Sequence, residues 1–208
     1  MTHLGDKVLA LHRALAAHHV PHAMGGAIAL AYAVRQARAT HDVDVNVFVP
    51  VDDAERVFRA LPPGITVRPG DAEAVCRDGQ VRLRWGDTPV DLFFSTVHFH
   101  DVATTRTRDV PFEQGSIPVL SATDLVVCKA LYGRGKDWVD IEAMRDAGTV
   151  DAPEALRWVA ALVGPDHPHY RRLFEIVTTP AAPSGDTDRL PPALRPRGRP
   201  SRPPRGVT

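Results

Sequence analysis

The chain has 208 residues, enough for one well-packed domain with appendages and too few for two large ones. Apolar residues make up 44% and charged residues 24%, globular proportions that exclude a fibrous or wholly disordered chain. Lys and Arg number 25 and so do Asp and Glu, so no overall field recruits nucleic acid, and any such partner has to meet a local patch.

Leu4, Val8, Leu11 and Leu15 recur at helical spacing and predict an amphipathic helix over about residues 6–19, ended by Val20-Pro21. Ala23-Met24-Gly25-Gly26 followed by the Ala-rich stretch 27–34 reads as a short strand, a glycine turn and a second helix. Residues 42–49, Asp-Val-Asp-Val-Asn-Val-Phe-Val, carry the clearest period-two alternation in the chain and predict a strand with Val43, Val45, Val47 and Val49 on one face. A helix capped by Asp52 or Asp53 runs to Leu61, where Pro62-Pro63-Gly64 ends it. Strand-like pieces follow at 65–67, 81–85 and 90–95, giving a small mixed sheet. The remainder is helical: Ser121-x-x-Asp124 opens a helix that Gly133 closes, Trp138–Met144 suggests another, Asp151-x-Pro153-Glu154 starts a third, and 170–177 a last. From Pro180 onward eight residues are Pro and six are Arg, against Asp186 and Asp188 only, so this stretch carries +4 and the rest of the chain −4. Such a composition buries too little apolar surface to offset ordering entropy and predicts a disordered tail.

Cys76 and Cys128 show no Cys-x-x-Cys spacing, which argues against a zinc ribbon or disulfide scaffold and fits a reducing compartment. No apolar run approaches the roughly 18 residues of a membrane span and no signal-peptide order is present, so the expectation is a cytoplasmic protein without a membrane partner.

Asp42 and Asp44 lie two apart on the predicted strand, on the face opposite the valines, so their carboxylates can converge on one cation. The alternative is a solvated edge strand with ordinary acids. Gly25-Gly26 ahead of a helix offers free N–H groups and the positive end of a helix dipole to a phosphate, or is simply a tight turn. Arg35, Arg38 and Thr40 lie between the glycines and the acids, where a guanidinium can brace phosphate oxygens. Histidine offers a rival reading, with His41-Asp42 and with His98-x-His100 as two same-face ligands if extended, in the manner of a His-Asp phosphohydrolase; the strand pattern around Asp42 argues against it.

Taken in order, Met24-Gly25-Gly26, Arg38-x-Thr40 and Asp42-Val43-Asp44-Val45 resemble the signature of the DNA polymerase β-like minimal nucleotidyltransferase superfamily, and RATHDVDVNVFV is similar to the bacterial branch around the AbiEii and MenT toxins. The resemblance spans about residues 20–146. It implies an α+β fold with a nucleotidyltransferase core over 1–120 and a helical subdomain over 121–179; it does not account for the tail over 180–208, whose disorder is expected from composition alone. It also implies that Pro89-Val90-Asp91-Leu92-Phe93 is the later strand delivering a third carboxylate, Asp91 in preference to the turn residue Asp87. Lys129, Lys136 and Asp140 fall in a Lys then Lys-Asp-x-x-Asp pattern of the helical part. The resemblance implies that one of the two lysines contacts the triphosphate and that Asp140 orients it.

The implied activity is transfer of a nucleoside monophosphate from a nucleoside triphosphate to an acceptor hydroxyl with release of pyrophosphate. Two Mg²⁺ ions would be held on Asp42, Asp44 and Asp91, with Gly25, Gly26, Arg38, Thr40 and Lys129 around the nucleotide. The implied partners are the tRNA 3′ end and a cognate antitoxin. Modification of a protein or a small drug, or a catalytically silent nucleotide-binding module, are the other classes.

Overall fold

The computed structural model describes residues 3–180; the predicted disordered tail, apart from Pro180, lies outside the described residues. The elements in chain order are α1 (Leu4–Ala17), β1 (His22–Met24), α2 (Gly26–Val34), β2 (Val43–Pro50), a 3₁₀ turn (Val51–Asp53), α3 (Ala54–Arg59), β3 (Ile65–Thr66), α4 (Asp71–Asp78), β4 (Gln80–Trp85), β5 (Thr88–Ser95), α5 (His98–Thr105), β6 (Arg108–Phe112), β7 (Gly115–Val119), α6 (Ala122–Tyr132), α7 (Gly135–Asp146), α8 (Ala152–Val163) and α9 (Pro168–Thr178). The strands form one seven-stranded mixed sheet in the order β3-β4-β5-β2-β1-β7-β6. This is an α+β architecture with its last four helices consecutive in the chain. None of the described helices is long and apolar enough to cross a membrane.

The centre of the sheet is set by alternation. β2 and β5 run parallel with Val43 opposite Val90 and Val45 opposite Leu92. β4 adds antiparallel with Leu83 opposite Val90 and Val81 opposite Leu92. Partners across a ladder share a face, so these apolar residues form one continuous buried surface. Val43, Val45, Val47, Val90 and Leu92 are each at most 1% exposed.

The helical predictions hold with small shifts in their ends. In α1, Val8, Leu11 and Leu15 are fully buried, and His3 caps the first turn by accepting from the Gly5 N–H. Ser121 caps α6, its Oγ accepting from the Asp124 N–H at 3.1 Å, and Gly133 ends that helix at φ 63°, a left-handed position that suits glycine. Asp151 caps α8 in the same way, with Pro153 in the first turn.

Four elements have no counterpart in the sequence reading. α4 is eight residues long with Val75 its one buried side chain, too short a stripe to register as periodic. α5 occupies His98–Thr105, where the rival metal reading needs an extended chain. On a helix, residues two apart point to different sides, so His98 and His100 do not share a face. β6 and β7 form a hairpin, Phe112 opposite Gly115, with Pro111 in one strand and Pro118 in the other. Proline argues against a strand, but β6 is the sheet edge, which tolerates Pro111, and β7 pairs with β1 at Met24–Val119 alone, so among the described residues Pro118 faces no ladder partner on that side.

Candidate active site

Opposite the apolar surface, the same register builds a polar row. Arg82 of β4 lies across from Asp91 of β5, and Asp91 lies across from Asp44 of β2. With strands about 4.8 Å apart, three ionisable side chains therefore stand side by side on one face. Gln80, Phe93, Asn46 and Ala23 form the next row.

Asp42 stands just outside this row. The strand begins at Val43, one residue later than its sequence pattern suggests, and Asp42 sits in the preceding bend. Thr40 fixes it there: the Thr40 hydroxyl donates to Asp42 Oδ1 at 2.6 Å and lies 3.1 Å from the Asp42 carbonyl. Asp44 is perturbed by its surroundings. Burial, together with the neighbouring charges of Asp42 and Asp91, pushes its carboxyl up to about 6, against the opposing pull of Lys129 and Lys136.

The two glycines divide their work. The Gly25 N–H donates to the Asp44 carbonyl at 2.8 Å, so it is not the free phosphate donor expected from the sequence. Gly26 opens α2 at φ 47°, and a Cβ built there would lie 1.9 Å from Asp44 Oδ2. Glycine at this position is thus required twice, by its backbone angle and by the approach of the Asp44 carboxylate to the helix N-terminus.

A cleft of about 940 Å³ opens over the polar row, and Gly26, Arg38, Thr40, Asp42, Asp44, Asp91, Lys129, Lys136 and Asp140 all line it. Gly25 is the one predicted site residue that does not. Asp87 lies in the Gly86-Asp87 turn of the β4–β5 hairpin, away from this cleft. Within the cleft the two lysines differ. Lys129 is buried and committed: its Nζ lies 2.7 Å from Asp140 Oδ2 and 3.4 Å from Asp137 Oδ1. Asp140 in turn faces Arg38 at 3.5 Å. Lys136 lines the same cleft and forms no ion pair among the described residues, which leaves its ammonium available to an anion.

Sequence reasoning missed Arg82. Its guanidinium grips Asp91 through two hydrogen bonds, Nε to Oδ1 at 2.7 Å and Nη2 to Oδ2 at 2.6 Å. The signal was present: counted back from the two-residue Gly86-Asp87 turn, the alternation Val81-Arg82-Leu83-Arg84 places Arg82 opposite Asp91. Tyr132 and Arg134 also line the cleft, the guanidinium stacked 4.9 Å from the ring and the Tyr132 hydroxyl donating to Gln80 Oε1 at 2.6 Å. Beside Asp44 a smaller apolar cavity of about 270 Å³ is lined by Phe93, Phe99, Leu125 and Cys128 among others. Burial pushes the Cys128 thiol up to about 12, so it is no thiolate nucleophile.

The donors offered by Asp42, Asp44 and Asp91 are hard carboxylate oxygens, the set that suits Mg²⁺ rather than a softer metal. Among the described residues no group of three or more His, Cys, Asp and Glu already stands arranged to hold an ion. Both oxygens of Asp91 are engaged by Arg82 instead.

No family model and no curated protein matches the sequence. Solved structures do resemble the fold. The antibiotic-resistance factor ANT(2'')-Ia, in its solution structure, is similar over 76% of this chain and 90% of its own at 13% identity, with a TM-score of 0.53. An antigenic nucleotidyltransferase-like protein from Paracoccidioides brasiliensis matches 82% of this chain and 92% of its own at 18% identity and a TM-score of 0.48. With its mixed seven-stranded sheet and trailing helices, the chain has the nucleotidyltransferase fold.

Proposed function

We propose that this protein is a Mg²⁺-dependent nucleotidyltransferase that moves a nucleoside monophosphate from a nucleoside triphosphate to an acceptor hydroxyl. The observation that carries the reading is the register of Asp44 and Asp91 on adjacent strands, beside the Gly26 helix start, in one cleft that Lys136 also lines. In the reaction the acceptor oxygen attacks the α-phosphorus in line, the α–β bridging bond breaks, pyrophosphate leaves, and the hydroxyl proton passes to a carboxylate. When bound, Mg²⁺ supplies Lewis-acid stabilisation of the phosphoryl oxygens. Asp42, Asp44 and Asp91 are the residues that would hold it. Thr40 orients Asp42, Lys136 and Arg38 take phosphate charge, and Asp140 holds Lys129 in place.

For the acceptor, the resemblance of residues 38–49 to the AbiEii and MenT toxins supports the 3′ end of tRNA, in a toxin neutralised by a cognate antitoxin. The Arg-rich stretch after residue 188 supports the same reading, since phosphate contacts supply most non-specific RNA affinity. A second reading, a small-molecule acceptor, is favoured by the likeness to the antibiotic-resistance factor ANT(2'')-Ia. Incubation with labelled nucleoside triphosphates, Mg²⁺ and either total tRNA or a panel of hydroxyl-bearing antibiotics separates them. Label on RNA supports the toxin, label on a drug supports the second reading, and label on neither acceptor contradicts both.

A further inference from the structure

Arg82 and Asp91 form an asymmetric pair. The Asp91 side chain is 13% exposed and held in the middle of the sheet, whereas the Arg82 side chain is 61% exposed and lies on the floor of the cleft. The guanidinium can therefore leave by side-chain rotation, while the carboxylate stays where the strand puts it. A brace for the β4–β5 pairing is not needed at this point. The two strands are laddered from Gln80–Phe93 to Trp85–Thr88, and Val81 and Leu83 are buried on the opposite face. What the contact does accomplish is to occupy both oxygens of Asp91, on the side of that residue away from Asp44.

We propose that Arg82 is a positioning residue that competes with a divalent cation for Asp91, so that the third carboxylate joins the site only when a phosphate-bearing substrate in the cleft draws the guanidinium away. The proposal rests on the reading of Asp42, Asp44 and Asp91 as the metal-holding carboxylates. A bidentate, charge-assisted pair takes one lone pair on each Asp91 oxygen and aims the carboxylate at Arg82, so it weakens the hold of those oxygens on an ion placed between Asp91 and Asp44. A phosphate is the natural competitor for the guanidinium, because its oxygens match the same planar fork. Cation and nucleotide then bind with positive coupling, each favouring the arrangement the other needs.

The test is Mn²⁺ binding to the whole chain, followed by electron paramagnetic resonance with and without a non-hydrolysable nucleoside triphosphate. The wild type should bind Mn²⁺ weakly alone and about tenfold or more tightly with the analogue. Arg82→Gln should bind Mn²⁺ alone about tenfold more tightly than wild type and lose most of the enhancement. Arg82→Lys, which keeps the charge but not the fork, should fall between, and it serves as the working variant if the glutamine protein does not fold. Adding Asp91→Asn to Arg82→Gln should erase the gain. Unchanged Mn²⁺ affinity in both Arg82 variants, with Asp44→Asn still weakening it, overturns the proposal and leaves the carboxylate site standing. Mn²⁺ binding indifferent to Asp42→Asn and Asp44→Asn overturns both.

Discussion

Asp44 shows most clearly how the site works against the fold. Its carboxyl, ordinarily at 3.8, is pushed up to about 6, so the folded chain holds the proton more tightly than the unfolded chain does. The ionised form therefore destabilises the fold: the penalty is absent below about pH 4, grows as pH rises and is complete above about pH 6, with a ceiling of about 3 kcal/mol. Asp44→Asn should melt several degrees above wild type in chelator at pH 7.5, and the difference should vanish near pH 4. The two lysines give a second contrast. Lys136→Ala should raise the KM for nucleotide about tenfold or more with little change in melting temperature, because only ligand charge is lost. Lys129→Ala should lower stability by about 3 kcal/mol, because Asp137 and Asp140 lose their buried partner. Chemical denaturation set beside steady-state kinetics checks both. Asp44 was legible because alternation fixes the face it takes, whereas Asp91 was named through the family resemblance and Arg82, the third member of the row, was missed. The split between the lysines was not, since both lie in similar helical sequence and only packing shows which one is already paired.

At the scale of elements, one buried charge ties α6 and α8 to the C-terminal end of α5. Asp124 in α6 is fully buried and accepts from Ser121 Oγ at 2.5 Å and from the Arg106 guanidinium, and Arg106 also reaches Glu154 of α8 at 2.7 Å. Arg106→Ala should cost about 3–5 kcal/mol, since it strands a buried carboxylate. Arg157→Ala, which removes an exposed ion pair with the same Glu154, should leave stability nearly unchanged. Urea midpoints of the two variants test the difference. Sequence showed the Ser121-x-x-Asp124 cap but not that its aspartate serves Arg106, a partner 18 residues upstream. It also missed β6 and β7 because prolines occupy both strands, and α4 because a single buried valine has no period. What it read well were the elements whose pattern is long enough to repeat.

For the whole molecule, the order of parts mattered more than any one of them. A glycine turn, an alternating acidic strand, a later strand with Asp91 and a Lys/Asp helical segment lie apart in sequence; the parallel pairing of β2 with β5 sets Asp44 beside Asp91, in a cleft that Gly26, Lys129, Lys136 and Asp140 also line. That pairing was not derivable from spacing. The chain divides its charge between a −4 body and a +4 stretch after residue 179. If tRNA is the acceptor, removing residues 181–208 should weaken tRNA binding and flatten its salt dependence while leaving nucleotide affinity unchanged, as measured by filter binding at several salt concentrations. The claim beneath all of this is nucleotidyl transfer at the carboxylate row. It is tested most directly by supplying wild type and Asp44→Asn with Mg²⁺, acceptor and nucleoside triphosphate labelled at the α- or the γ-phosphate. Wild type should place α-label on the acceptor and γ-label in pyrophosphate, and the variant should lose about 10²–10³-fold or more of the transfer. Transfer of the γ-label to the acceptor, or α-transfer undiminished in Asp44→Asn, contradicts that claim.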